Sequence, residues 1–325
     1  MSNSSWFQRL RPDNFTLALL ATVVAATLLP ASGQVASAFE IVTDVAIGLL
    51  FFLHGAKLSR EAILAGAGHW RLHLAVFAST YVMFPVIGLI VGLAPATVIS
   101  PAIAVGVLYL CILPSTVQSS IAFTSMAGGN VPAAVCSASA SNLIGIFLTP
   151  ALAAVFLGVN GGGGDFLGAV RAIVLQLLVP FLAGHLLRPL IGGFVDRHKK
   201  ALTLVDRGSI LLVVYTAFSA AVIEGLWRKL GWADLAIILV IDCVILAVAL
   251  FATTWAARRF GFSKPDEIVL VFCGSKKSLA SGVPMAGVLF PAAMVGPIVL
   301  PLMLFHQIQL MVCAVLARRY AERAG

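Results

Sequence analysis

Two lysines, Lys276 and Lys277, stand side by side in an apolar stretch of membrane length, within Cys273-Gly274-Ser275-Lys276-Lys277-Ser278. Each brings a cation with three hydrogen-bond donors. An ammonium near a bilayer centre costs about 2.5 kcal/mol or more even on the lenient insertion scales. It is retained where it faces protein or a water-filled cavity, so such a lysine reads as part of a functional site. Glycine and serine around the pair weaken a helix. The expected picture is a broken helix presenting two cations in the membrane interior. Such a cation can serve as a fixed counter-ion for an anion, or as a proton-coupling group if burial lets it shed its proton.

A second polar group follows Pro114. Ser115, Thr116, Gln118, Ser119, Ser120 and Thr124 occupy one apolar segment, and Ser137, Ser139, Ser141 and Asn142 the next. Proline removes a backbone donor and clashes with the preceding turn, and hydroxyls can satisfy the freed backbone groups. Isolated serines at this spacing also serve tight helix packing. Ser119, Ser120, Ser139 and Asn142 together, beside a break, read as a binding site rather than as packing alone. Asp242, within Val240-Ile241-Asp242-Cys243-Val244, would be costly unpaired, so Lys276 or Lys277 is its expected partner. The alternatives are a wet position near the outer interface or a protonated carboxyl. Lys276, Lys277, Ser275, Ser278, Ser115, Thr116, Gln118 and Asp242 make up the expected substrate and coupling set.

The elements that position these residues are membrane helices. Of 325 residues, 60% are hydrophobic and 10% charged, where soluble domains carry roughly 25% charged. Ten apolar segments are long enough to cross a bilayer: 14–30, 40–58, 70–93, 100–127, 130–158, 166–189, 203–224, 233–257, 264–289 and 295–317. The net charge of +8 is no nucleic-acid signature. With the N-terminus inside, sixteen of the 21 basic residues fall on the cytoplasmic side and Arg171, Arg228 and Lys229 outside, with Lys276 and Lys277 completing the count. The positive-inside rule therefore places both termini in the cytoplasm of a multi-pass protein of a plasma or bacterial inner membrane.

Other features carry less. Cys111, Cys136, Cys243, Cys273 and Cys313 lie in apolar segments without metal or disulfide spacing. Arg9, Arg11 and the run after Phe15 imitate a secretory signal, but the run reads as a first span with a partner later in the chain. Asp44 and Asp206 read as interface or capping residues, His306 as a packed, hydrogen-bonded residue. His69 and His73 lack the glutamate of a zinc protease helix. Gly161–Gly164 reads as a flexible connection rather than a phosphate loop, and Gly128-Gly129-Asn130 as a tight turn. No nucleophile–base constellation stands out, so no enzyme activity is expected.

The chain is written twice. A shift of 162 residues lays Cys111 on Cys273, Ser115 on Lys277, Ser119 on Ser281 and Asp44 on Asp206. Each half, 1–160 and 161–325, holds five segments. An odd number sends the second half into the membrane from the opposite side, giving two inverted five-helix repeats. Sites in such folds lie near the midplane, at interrupted helices in matching positions. Segments 4 and 9, broken near Pro114 and Gly274, fit that description.

These residues resemble a family. Gly129-Asn130-Val131, then Ser139, Ser141 and Leu148-Thr149-Pro150, resemble the fifth helix of bile acid:sodium symporters. The Pro114 break with Ser119-Ser120 resembles their fourth helix, and Leu49–Gly55 with Lys57-Leu58 the end of their second. The Cys-Gly-Ser-Lys-Lys-Ser-Leu-Ala string is similar to the divergent SBF-like branch, which includes the seventh vertebrate member. The resemblance implies an all-α fold of ten transmembrane helices. A panel domain comprises segments 1, 2, 6 and 7, and a core domain segments 3–5 and 8–10 with segments 4 and 9 broken and crossed. It also implies sodium ligands at Ser119, Ser120 and the 139–142 stretch.

Segment 9 departs from that pattern. The family has Glu, one residue, Gly, one residue, then Gln-Asn; here Phe272 falls at the glutamate and Lys276 and Lys277 at Gln-Asn. Two unit charges about 4 Å apart at an effective dielectric of about 20 interact by about 4 kcal/mol. Exchanging carboxylate for ammonium turns attraction for sodium into repulsion. The expectation is a secondary transporter of a small or amphipathic organic anion, with a lysine in sodium's electrostatic place. The alternatives are a symporter retaining one sodium site and a non-transporting membrane sensor or scaffold. A cation/proton exchanger is disfavoured, because Ser141-Asn142 stands where such proteins carry acids.

Overall fold

The computed structural model describes residues 14–57, 68–158, 171 and 174–324, which are helical apart from short connections. Arg9, Arg11, Arg60, the 160/161 boundary of the halves and Gly161–Gly164 lie outside the described residues. The helices are α1 (Asn14–Leu28), α2 (Gly33–Lys57), α3 (Trp70–Gly92), α4 (Pro101–Ile112), α5 (Gln118–Met126) and α6 (Val131–Leu157). They continue with α7 (Val174–Arg197), α8 (Lys199–Ile223), α9 (Trp232–Arg259), α10 (Lys264–Gly274), α11 (Leu279–Leu289) and α12 (Ala292–Ala324).

Helix starts follow local chemistry. Ser100 and Asn130 accept the backbone N–H groups of Ile103 and Ala133, with a proline in each first turn. Ser263 caps α10 ahead of Pro265, Asp266 and Glu267, and Ser278 caps α11. A side-chain oxygen there satisfies a donor the helix cannot, and proline loses nothing at that position. Gly128, at φ 72°, makes the turn expected between α5 and α6.

Seven helices (α2, α3, α6, α7, α8, α9 and α12) are long and apolar enough to cross a membrane unbroken. This is an integral, multi-pass membrane protein. Against the expected segments, α2 begins seven residues early and α7 runs on to Arg197. Both helices carry a charge within them: Glu40 lies in α2, and Arg188 in α7 donates to the Ala56 carbonyl at 2.6 Å. Segments 4 and 9 are each two short helices, with irregular backbone at residues 113–117 and 275–278.

Packing sorts the helices around these breaks. α2 lies along α7 and α8, and α1 along α8. A Cβ at Gly55 would run into the Phe181 carbonyl, and one at Gly184 into the Phe52 carbonyl. Small residues let membrane helices approach this closely. α4 packs on α3 and α12, and α10 on α9, α5 and α6. The main apolar core, including Phe51, Phe84, Tyr109 and Phe305, encloses the breaks.

Candidate functional site

A helix end leaves its last carbonyls without intrahelical donors, and an apolar interior has no water to supply them. The two breaks supply one another. At the end of α10, Ser275 Oγ donates to Val271 O at 2.6 Å, Ser120 Oγ to Phe272 O at 2.8 Å, and Ser115 Oγ to Cys273 O at 2.5 Å. At the end of α4, Thr149 donates to Ile112 O at 2.9 Å, and Lys277 Nζ to Cys111 O at 2.8 Å and Leu113 O at 2.7 Å. Two of these bonds mirror each other. Ser115 reaches Cys273 as Lys277 reaches Cys111, and the members of each pair stand 162 residues apart. The breaks also touch directly, Ser278 N–H donating to Pro114 O at 2.9 Å.

The third bond of Lys277 goes to Thr80 O, at 2.8 Å. Thr80 lies in a π-helical turn, Ser79–Met83, where Phe84 N–H bonds Ser79 O instead. The next candidate donor is Pro85, which has no N–H. Three carbonyls thus take all three donors of one ammonium, which also lies 4.2 Å from the Phe84 ring centre. The side chain is wholly buried. Gln309 holds the adjacent backbone, accepting Lys277 N–H and donating to Lys277 O, both at 2.9 Å.

Lys276, equally buried, points elsewhere. Its ammonium donates to Ser119 Oγ at 3.2 Å and sits 4.5 Å from the Phe123 ring centre. Ser119 donates to Thr116 Oγ1 at 2.9 Å. Ser120 commits its hydrogen to Phe272 O, so Thr116 donates to Ser120 across their 2.8 Å contact. The result is an oriented chain from Lys276 through Ser119, Thr116 and Ser120 to the end of α10. Asn142 ties it to α6 and α11, donating to Ser115 O at 2.6 Å and accepting from Ser281 at 2.7 Å.

A cavity of about 640 Å³ opens beside this chain. The breaks and α5, α6 and α11 contribute polar Thr116, Gln118, Ser119, Ser139, Asn142, Ser278 and Ser281, with apolar Ile121, Ile146 and Met285 among them. The helices α2, α7 and α8 contribute apolar Leu50, Phe51, Phe181 and Ile210 together with His54, Lys57, Asp206 and Arg207. His306 of α12 also lines the cavity. Of the expected set, Ser115, Ser120, Ser275, Lys276, Lys277 and Asp242 are not in the lining. The lysines stand behind it, Lys276 one hydroxyl away through Ser119.

The expected ion pair of Asp242 is corrected by the structure: among the described residues no salt bridge joins it to a lysine. Both lysines turn towards α4 and α5 and find carbonyls, a hydroxyl and aromatic faces instead. Asp242 is wholly buried, which also removes the wet alternative. Asp206, expected at an interface, forms an ion pair with Lys57 on the cavity lining. Sequence reasoning missed His54, Lys57, Arg207 and His306 as lining residues. The available signal was that Lys57 closes one apolar segment while Asp206 and Arg207 open another. His73 of α3 bonds Ser137 of α6 at 2.7 Å.

Broken, mutually capped helices beside an amphipathic cavity define a membrane transport protein. The chain belongs to the SBF-like CPA transporter family, whose match spans residues 13–322. It is 66% identical over 315 residues to "Uncharacterized protein PA2026" of Pseudomonas aeruginosa, covering 97% of this chain and 95% of that protein. It is 59% identical over 311 residues to "Putative symporter YfeH" of Escherichia coli, covering 96% and 93%. It is 27% identical over 315 residues to sodium/bile acid cotransporter 7-B of Xenopus laevis, covering 95% and 92%. The family consists of transporters, not enzymes.

Proposed function

We propose that this protein is a secondary active transporter of an amphipathic organic anion, in which its own lysines stand where a coupling cation would bind. The observation that carries the reading is the paired setting of Lys277 and Lys276. Lys277 fills a three-carbonyl cage with a covalently tethered cation. Lys276 places a second positive charge behind Ser119, at the edge of a cavity whose lining mixes polar and apolar side chains. An anionic head at Ser119 and an apolar body against Phe51 and Phe181 fit that lining.

The architecture of this reading is ten spans in two inverted repeats, 1–160 and 161–325, with both termini cytoplasmic. The mirrored bonds from Ser115 and Lys277 support the repeat, because residues 162 apart make equivalent contacts across the crossing. α1, α2, α7 and α8 form the panel, and the remaining helices the core. Rocking of panel against core exposes the cavity to the two sides in turn.

The second reading keeps sodium coupling at Ser119, Ser120, Ser139 and Asn142. The names of the Xenopus laevis relatives, sodium/bile acid cotransporters 7-A and 7-B, favour it. Electrostatics disfavours it: Ser119 oxygen already faces the Lys276 ammonium at 3.2 Å, and Ser120 bonds Phe272 O. Uptake of a panel of bile acids and related carboxylates into proteoliposomes tests the proposal. Uptake that Lys276→Met abolishes supports it. No uptake of any anion in the panel would favour a non-transporting role, and uptake unchanged in both Lys276→Met and Lys277→Met would sink it.

A further inference from the structure

Asp242 lies near the middle of α9 and is wholly buried. Neither carboxylate oxygen has a hydrogen-bond partner, and no salt bridge reaches it among the described residues. It faces the Phe305 backbone of α12. A bare carboxylate in such a place loses the solvation water would give, which one backbone group does not replace. Buried charges are otherwise paired or neutralised. A positive charge is what this site lacks.

The neighbouring titratable groups do not supply it. On α10, Glu267 is engaged with Lys264, and it pairs with Arg258 of α9 itself. Tyr320 of α12 donates to Glu267, and His306 of α12 contacts Gln309. Tyr81, in the π-helical turn of α3, donates to Ser141 O, and Tyr109 of α4 to Gly282 O. Cys243, on α9, is exposed. Cys273 and Cys313 lie beside Lys276. The group from α4 within electrostatic reach of Asp242 is the thiol of Cys111, which is also within reach of Lys277.

We infer that Asp242 is the binding site of a small monovalent cation, a proton or a sodium ion, separate from the lysine crossing. The carbonyl of Cys111 holds Lys277, so the two sites meet at α4. When the cation leaves, a carboxylate appears against α4, the helix whose Cys111 carbonyl holds Lys277. Ion binding at Asp242 thereby bears on how firmly the two breaks are held together. The inference rests on burial and missing partners, and stands whether or not the anion binds at Ser119.

The test is thermal unfolding of the full-length protein and Asp242→Asn in detergent, over a range of pH and with sodium exchanged for N-methylglucamine at constant ionic strength. The amide mimics the neutralised site. If the ligand is a proton, the wild type loses stability relative to Asp242→Asn as pH rises, because the folded state alone holds that proton. If it is sodium, the wild type gains stability with sodium and Asp242→Asn does not. A variant that keeps the full pH and sodium response of the wild type overturns the inference. Should Asp242→Asn fail to fold, infrared difference spectra of the wild type decide. A carboxyl or carboxylate band without hydrogen bonds that responds to pH or to sodium supports the site, and no such response to either overturns it.

Discussion

Lys276 and Lys277 are neighbours in sequence with different partners in space. Lys277 is enclosed by carbonyls of α3 and α4, whereas Lys276 reaches α5 through Ser119. Their importance was legible from composition, since ammonium groups in an apolar run demand a reason. Their division was not, because outside a helix adjacent side chains diverge and only tertiary packing says where each goes. The capping serines were legible in type but not in pairing. The two residues therefore respond differently to substitution. A hydrogen bond to a charged group contributes about 1.5–3 kcal/mol, so Lys277→Met, which strips three carbonyls of their donor, lowers unfolding stability by at least about 3 kcal/mol. Thermal unfolding in detergent measures it, and a stability equal to wild type would contradict the cage. Lys276→Met, with one such bond, keeps most of the stability but loses uptake of the anion.

At the scale of elements, the positions of the breaks were readable from Pro114 and from Gly274 with its serines. The π-helical turn was not read: Phe84 N–H, the α-helical donor for Thr80 O, bonds Ser79 O instead, and Pro85 offers no N–H to replace it. Arg188, already inside the expected segment 166–189, sits within α7 and donates to the Ala56 carbonyl. The same contact region fixes how α2 and α7 approach. Their backbones meet at Gly55 and Gly184, where no room remains for a methyl group. Gly184→Ala forces the helices apart and costs about 1–3 kcal/mol, the range for overpacking. Unfolding temperature should fall, whereas Gly193→Ala, with open space around it in the same helix, should hold or raise it.

At the scale of the whole molecule, the proposed internal repeat rests on a shared register of 162 residues, at which unusual residues recur. The cavity was invisible, since its walls come from helices far apart in sequence and no periodicity records which faces meet. Its charge balance turns on the Lys57–Asp206 pair, with Arg207 also in the lining. Asp206→Asn leaves both cations uncompensated and should lower KM for an anion. Lys57→Gln should raise it. Both effects should shrink at high salt, as screening predicts for partly exposed charges. A KM for the anion that neither substitution moves would show that the substrate does not pass this way.

The central claim is that side-chain ammonium groups replace a bound coupling ion, and initial uptake rates in proteoliposomes test it most directly. Rates are compared in sodium and in N-methylglucamine, for wild type and Lys276→Met. The account predicts equal wild-type uptake in both media and loss of uptake in Lys276→Met. Uptake that disappears with sodium, while Lys276→Met still transports, would contradict it.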